Sequence, residues 1–435
     1  MFPDGLNSRP EPAPPIGAAP DVRSFYERHP YPPPVDSLDK YAAVWRDGQL
    51  RRADFRLFWP ERAYRDDFSI LVAGCGTSQA ARHALRWPRA RVTGIDFSAT
   101  SIRHSEDLKS RYGLQNLQLQ QLAIEQVEQL GGRFDQIICT GVLHHLPDPD
   151  LGLSALRRVL APGGAMHLMV YAPYGRIGVY MLQAFCRQLG IEATEQGIGD
   201  LVVALRELPA GHPLAQLLRE SPDFRHPAAL ADALLHPQDR AYSVPQFFDF
   251  VERAGLRFGR WLKQAPYSPS CGAQARIPQA ARIAALTPAA GFAAVELFRG
   301  TMLRHSALVF GDGPPGNPQP INFDGDDWRA YVPIRLPDTI CVQERLPPGA
   351  AAVLINRSHS HNDIYLPIDA LAKSLFDAID GRLTIGEIAA RVGHADGARA
   401  LFESLWQYDQ VVFDASLQPG SDGAGGRGGL SCVFQ

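Results

Sequence analysis

Adjacent imidazoles at His144 and His145 carry the clearest acid–base signal in the sequence, because imidazole changes charge near neutral pH and can accept a proton from a nucleophile. They stand just past an apolar run, Phe134 to Thr140, that reads as a strand. A second group follows another apolar run, in Val170-Tyr171-Ala172-Pro173-Tyr174-Gly175-Arg176. Tyr171 joins the two histidines as a catalytic candidate, and Tyr174 and Arg176 would meet a substrate entering there. The stretch His236-Pro237-Gln238-Asp239-Arg240-Ala241-Tyr242 gathers an imidazole, a carboxylate, a guanidinium and a phenol, so His236, Asp239 and Tyr242 are further substrate candidates. His359 and His361 would share one face if they lay on a strand. No further ligands accompany them, and no metal site is expected.

A second kind of chemistry is written in Ile70-Leu71-Val72-Ala73-Gly74-Cys75-Gly76-Thr77-Ser78. A glycine-rich turn between a strand and a helix brings backbone N–H groups and the positive helix end close to a ligand. Gly74 and Gly76 meet that need. Asp96 closes the next apolar run, Val92 to Ile95, about 20 residues on, where a carboxylate can accept hydrogen bonds from ribose hydroxyls. This spacing alone suits nicotinamide dinucleotides and S-adenosylmethionine (SAM) equally.

Parallel strands alternating with helices would hold these residues at one edge of a sheet. Strands are expected at 68–73, 91–96, 116–120, 134–140 and 164–171, with helices between them, for example 78–86 and 101–112. Residues 176–240 show no strand signal and read as a helical insertion, placed where a lid would sit. The amphipathic stretch Val244 to Leu256, stopped by Gly255, predicts a helix. Strands at 257–264 and 304–310 complete the sheet. The fold class expected is α/β: a doubly wound, mostly parallel seven-stranded sheet with a helical insertion, plus a small α+β winged-helix-like C-terminal domain.

Two further motifs separate the cofactor choices. Phe134-Asp135-Gln136-Ile137-Ile138-Cys139-Thr140-Gly141-Val142-Leu143-His144-His145-Leu146-Pro147-Asp148, followed by Leu160-Ala161-Pro162-Gly163-Gly164-Ala165, resembles the fourth-strand and pre-fifth-strand motifs of class I SAM-dependent methyltransferases. The resemblance is close over 66–175 and looser to 310. It implies that Gly74, Cys75, Gly76 and Ser78 hold the methionine moiety of SAM and that Asp96, beside Phe97, holds the ribose. It also implies that Leu122 and Ala123 flank the adenine and that Thr140 completes the cofactor site. Three positions depart from the family pattern: Val72 where an acid is common, Ser78 where a third glycine is common, and Leu122 where an Asp often stands. The activity implied is methyl transfer to an O or N nucleophile, with a small molecule or peptide as favoured acceptor. A non-catalytic SAM-binding scaffold or sensor, an RNA methyltransferase and, more remotely, a dehydrogenase stay open. Ala172-Pro173-Tyr174 is not the Asn/Asp-Pro-Pro-Tyr motif of amino-group methyltransferases, so DNA is not the expected substrate.

Composition sets outer limits. The 435 residues allow two or three domains; 45% are hydrophobic and 20% charged, within the soluble globular range, and no run would span a bilayer. The first residues lack a basic start followed by an apolar run, so a cytoplasmic location is expected. Six scattered cysteines without a Cys-x-x-Cys pair read as free thiols. A net charge of −3 offers no general attraction to nucleic acid.

The domain order expected is a disordered leader (1–20), an N-terminal arm with helices (21–65), a methyltransferase domain (66–312, its lid at 176–240), a linker (313–320), an accessory domain (321–415) and a disordered tail (416–435). Tyr26, His29 and Tyr31 are expected in a surface-packed arm, with folding over the cofactor as the alternative. In the accessory domain Asp380-Gly381, Thr384 and Glu387 predict a helix, a tight turn and a helix opened by a capping box. That arrangement is weakly similar to PqqD-type winged-helix domains, some of which bind peptides. Its 14 acidic against 8 basic residues between 321 and 415 speak against DNA. A role in dimerisation or in shielding the active site, with a possible homodimer, is the other expectation.

Overall fold

The computed structural model describes Val22, Phe25, Glu27 and residues 32–220, 226–311, 321–394 and 396–416. The expected leader, linker and nearly all of the tail, with Tyr26, His29 and Tyr31, lie outside the described residues. Helices Asp39–Trp45 and Gly48–Phe58 lead, among the described residues, into a seven-stranded sheet. Its strands are β1 (Ser69–Ala73), β2 (Arg91–Asp96), β3 (Leu117–Gln121), β4 (Phe134–Thr140), β5 (Leu160–Tyr171), β6 (Leu256–Trp261) and β7 (Arg304–Gly311), in the order β3-β2-β1-β4-β5-β7-β6. Strands β1 to β5 pair in parallel; β7 runs antiparallel to both β5 and β6. This is the mostly parallel, seven-stranded sheet expected from the sequence. β5 starts earlier than expected because Leu160 already pairs with Phe134 before a register shift.

β1 is buried along its whole length, as an apolar run covered on both faces must be. Ile70 and Val72 join one core with Trp59, Phe68 and Trp87, whereas Leu71 and Ala73 join the other with Ile137, Leu168 and Phe247. Helix Ala99–Tyr112 starts at Ser98, whose hydroxyl accepts the Ser101 N–H, and stops at Gly113 in the left-handed region. Helix Pro149–Val159 starts at Asp148, which accepts the Leu151 N–H. Such caps fix where each strand ends, and so where the loops of the site begin.

After β5 come, among the described residues, helices Ile177–Leu189, Glu195–Arg206, Pro213–Glu220 and Pro227–Leu235, with their own apolar core around Val179, Leu182, Leu201 and Leu230. The chain returns by zipping onto the sheet: Tyr242 N–H donates to the Tyr171 carbonyl (2.9 Å) and Arg240 N–H to that of His144 (3.1 Å). Helix Val244–Arg253 follows, opened by a Ser243/Gln246 capping box.

Beyond residue 320, β8 (Val332–Arg335) pairs with β12 (Val411–Asp414), and β9 (Thr339–Val342), β10 (Ala352–Asn356) and β11 (Leu366–Ile368) form a second small sheet. Helices Ala370–Asp377, Ile385–Val392 and Ala398–Gln407 lie between β11 and β12, the second opened by the expected Thr384/Glu387 capping box. His359 and His361 are not on a strand. The Asn356 side chain accepts the Ser358 N–H (2.8 Å), a local turn that ends β10 and leaves both histidines on a loop. This region is fastened to the rest through charges: Asp414 to Arg52 and Arg56, Asp409 to Arg260, and Asp363 to Arg299. Cys75, Cys139, Cys186, Cys271 and Cys341 are free thiols. Among the described residues no helix is long and apolar enough to cross a membrane.

Candidate active site

The loop after β1 turns twice through the left-handed region, at Gly74 (φ 69°) and Gly76 (φ 54°), a conformation that L side chains avoid. At Gly74 space forbids a side chain as well, since a Cβ there would collide with Val142. Gly76 N–H donates to Asp96 Oδ2 (2.8 Å) and Ser98 N–H to Asp96 Oδ1 (2.9 Å). The loop and the end of β2 are thereby locked together. Burial pushes the Asp96 carboxyl up, and these backbone donors offset part of that shift. Each carboxylate oxygen has further lone-pair capacity, enough to receive a vicinal diol. Helix Gln79–Arg86 follows with its first turn at the loop; the Ser78 side chain makes no cap hydrogen bond to it.

These groups line a cavity of about 1620 Å³. Gly74, Cys75, Gly76, Ser78, Asp96, Phe97, Leu122, Ala123 and Thr140 all border it. Cys75 is buried, which raises its thiol well above the usual range and makes it a packing group. Gln79 also borders the cavity and donates to Thr140 Oγ1 (2.8 Å); it was missed in the sequence because a glutamine in a helix has no distinguishing spacing. Thr77 Oγ1 donates to the Pro32 carbonyl (2.9 Å) and Glu27 accepts the Ala99 N–H (2.8 Å), so Glu27 and Pro32 lie against this end of the sheet.

At the ends of β4 and β5 the cavity is bordered by His145, Tyr171 and Arg176. The Arg176 guanidinium lies over the Tyr171 ring (3.5 Å to its centroid) and pairs with Asp239 (3.2 Å), which also accepts from Gln183 (2.9 Å). His145 Nδ1 donates to the Gln238 carbonyl (2.8 Å). A carbonyl can only accept, so the neutral ring carries its proton on Nδ1 and its lone pair on Nε2. Burial holds this imidazole down at about 4, so it is neutral at pH 7.

The other sequence candidates stand elsewhere. His144 is fully buried behind Tyr171 (ring centroids 4.0 Å) and is not at the cavity wall; burial depresses its pKa strongly. His236 stacks on His145 (4.0 Å), and Asp239 stands behind Arg176, so both support wall residues. Tyr242 is in the core, stacked on Phe250, and Tyr174 is exposed outside the cavity.

Ligand atoms of His145, Asp232 and His236 come within 4.8 Å of one another, a spacing a cation could bridge. The tautomer opposes this. Gln238 N–H donates to His236 Nδ1 (3.0 Å), which puts the proton of the neutral ring on Nε2, so neither ring nitrogen of His236 presents a lone pair to a cation. No metal is assigned here.

Residues 71–166 match a family described as a methyltransferase domain. An uncharacterised protein of Synechococcus sp. is 33% identical over 245 residues, 54% of this chain and 58% of that protein. Trans-aconitate 2-methyltransferase of Deinococcus radiodurans is 32% identical over 142 residues, 32% of this chain and 50% of the enzyme. The chain thus spans only about half the length of these curated relatives. In fold, PKMT2 from Rickettsia typhi, solved in complex with AdoHcy, superposes with a TM-score of 0.58 at 15% identity over 86% of this chain and 76% of that one. The chain therefore carries a SAM-dependent methyltransferase domain.

Proposed function

We propose that this protein transfers the methyl group of SAM to an O or N nucleophile of a small-molecule or peptide acceptor. The observation that carries the reading is a single cavity bordered both by the Gly74/Gly76/Asp96 cradle and by His145, Tyr171 and Arg176. SAM supplies an electrophilic methyl group on a sulfonium. Gly74, Gly76 and Ser78 would hold its methionine end, Asp96 its ribose, and Leu122 and Ala123 its adenine. The buried walls exclude water, and transfer then depends on an acceptor held in line. His145, neutral with its lone pair on Nε2, suits removal of the proton that an attacking hydroxyl or amine must lose. Arg176 orients Tyr171 and keeps the wall polar.

A small acceptor is favoured by the similarity to trans-aconitate 2-methyltransferase. The region beyond residue 320 acts in this reading as a substrate-selecting accessory domain, and its three helices beside the β8–β12 pair suit the winged-helix-like description. The domain limits and the lid at 176–240 belong to the same reading, as does a cytoplasmic setting. A homodimer is supported by the exposed apolar stripe Ile177, Met181, Phe185 and Leu189 on the first lid helix.

Radiolabelled methyl transfer from SAM into fractionated extract tests the proposal. Label is expected in a small-molecule or peptide fraction, with release of S-adenosylhomocysteine. Label in RNA would favour an RNA methyltransferase, and SAM binding by calorimetry without any transfer would favour a scaffold or sensor.

A further inference from the structure

The cavity does not end at Tyr171. β7 lies next to β5, and Arg304 pairs in register with Tyr171, so the two side chains leave the same face of the sheet at neighbouring positions. Lys263 follows β6 on the far side of β7, where Leu262 N–H donates to the Ser306 carbonyl (2.8 Å). Facing them is the loop after β10, with Arg357, His359 and His361. All five residues border the cavity. They come from two strand ends and from a region whose overall balance is acidic.

We infer that Lys263, Arg304, Arg357 and His359 form an anion-binding subsite, through which the region beyond residue 320 anchors a carboxylate or phosphate group of the methyl acceptor. Three observations support it. Among the described residues, no ion pair or side-chain hydrogen bond engages the half-buried Lys263 or the exposed Arg304 and Arg357 at the cavity rim, whereas Arg176, Arg260 and Arg299 each have a carboxylate partner. Both ring nitrogens of His359 are buried and make no hydrogen bond. A buried polar group without a partner costs free energy, and a cluster of like charges costs more, so a site of this kind is stabilised by a bound anion. The carboxylates nearby do not supply that anion. Asp409 is already committed to Arg260 and to the Ala265 N–H (2.9 Å), and Asp338 makes no ion pair with any of the three cations. Burial, then the charge of Arg304, lowers the Lys263 pKa, as expected of an ammonium drawn out of water beside another cation.

The register gives the subsite its use. An acceptor held by its anionic group at Arg304 lies one strand from Tyr171, so binding energy gained away from the reacting atom would fix the nucleophile in place. This inference rests on the methyl-transfer reading for what the anion belongs to, but not for whether anions bind.

The test is calorimetric titration of the full chain with citrate and, separately, with inorganic phosphate, at ionic strength held constant with chloride. Saturable binding of at least one is expected. Citrate alone would indicate a carboxylate-bearing acceptor and phosphate alone a phosphate-bearing one. The double variant Lys263→Met/Arg304→Met should bind tenfold or more weakly, Lys263→Arg should retain binding, and Arg282→Met, on an exposed helix, should match the parent protein. Absence of saturable binding by either anion, or equal binding by the double variant, overturns the inference. SAM titrated into the same preparations separates the two ideas: SAM binding without anion binding sinks the subsite alone, and anion binding without SAM binding sinks the transfer reading.

Discussion

Gly76 and Asp96, 20 residues apart in sequence, are joined by a 2.8 Å hydrogen bond from the glycine N–H to the carboxylate. The same carboxylate that would take the ribose thus also braces the loop that would take the methionine end. Asp96→Ala removes both functions and should weaken SAM binding about 100-fold or more, since a hydrogen bond to a charged group contributes about 1.5–3 kcal/mol. Asp96→Asn keeps an oxygen to accept the Gly76 N–H and should fall between. Calorimetry with SAM measures both, and a parent-like affinity for Asp96→Ala would remove Asp96 from the site.

Gly74 is constrained twice, by its φ of 69° and by Val142. Gly74→Ala should therefore lower both SAM affinity and stability, the latter by about 1–3 kcal/mol. Adding Val142→Ala opens the space but leaves the backbone strain, so the double variant should recover only part of the loss. Full recovery would mean that crowding alone excludes a side chain there.

The parts of the site that were legible in the sequence are those written within one strand–loop–helix unit. Gly74, Gly76 and Asp96 stand at spacings set by a single crossover, and the unbroken apolar run Ile70 to Ala73 reports a strand buried on both faces. His359 and His361, whose spacing would put them on one face of a strand, lie on a loop because Asn356 folds its own side chain back onto Ser358, which alternation does not reveal. Lys263 and Arg304 gave no signal at all. They are ordinary cations, 41 positions apart in the sequence, and only the insertion of β7 between β5 and β6 brings them together. Tyr174 and Tyr242 failed as wall residues for the opposite reason: nearness in sequence to Arg176 and Asp239 does not determine which way a loop residue faces.

His145 should behave as a base that is already deprotonated. With its pKa held near 4 by burial, the rate of methyl transfer should be flat from pH 6 to 8 and decline only in stronger acid. His145→Gln should reduce kcat about 100-fold or more with little change in KM for SAM. A loss confined to KM would make His145 a wall residue without a proton to move.

Acid should unfold this protein through its buried imidazoles. His83 and His144 are held well below the usual range, and His145 and His167 at about 4, in each case chiefly by burial. In the unfolded chain they titrate near about 6.5. Between those values the unfolded state binds more protons, so stability is fully present above about pH 6.5 and is lost as the pH falls toward 4. Asp96, raised by burial, and Asp409, raised to about 6, act in the opposite sense in part of that window. The four histidines outnumber them. Thermal melts at pH 4.5, 5.5 and 7 should show Tm rising with pH; a maximum near pH 5 would mean that the carboxylates dominate.

The junction between helix Gly48–Phe58 and strand β12 turns on a contrast between two arginines that share one acid. Arg56, with a side chain only 2% exposed, contacts Asp414 at 2.5 Å, while Arg52, 27% exposed, contacts the same oxygen at 3.0 Å. Burial lowers the Arg56 pKa, with Asp414 the main opposing influence. Removing the acid leaves a guanidinium buried without a charged partner, so Asp414→Ala should cost about 3–5 kcal/mol. Arg52→Ala removes a partly hydrated pair and should cost about 1 kcal/mol or less. Denaturant midpoints of the two variants measure the difference. Similar costs would mean that water reaches Arg56 and that the junction is held by the apolar contacts of Ala53 with Ile334 and Val412 instead.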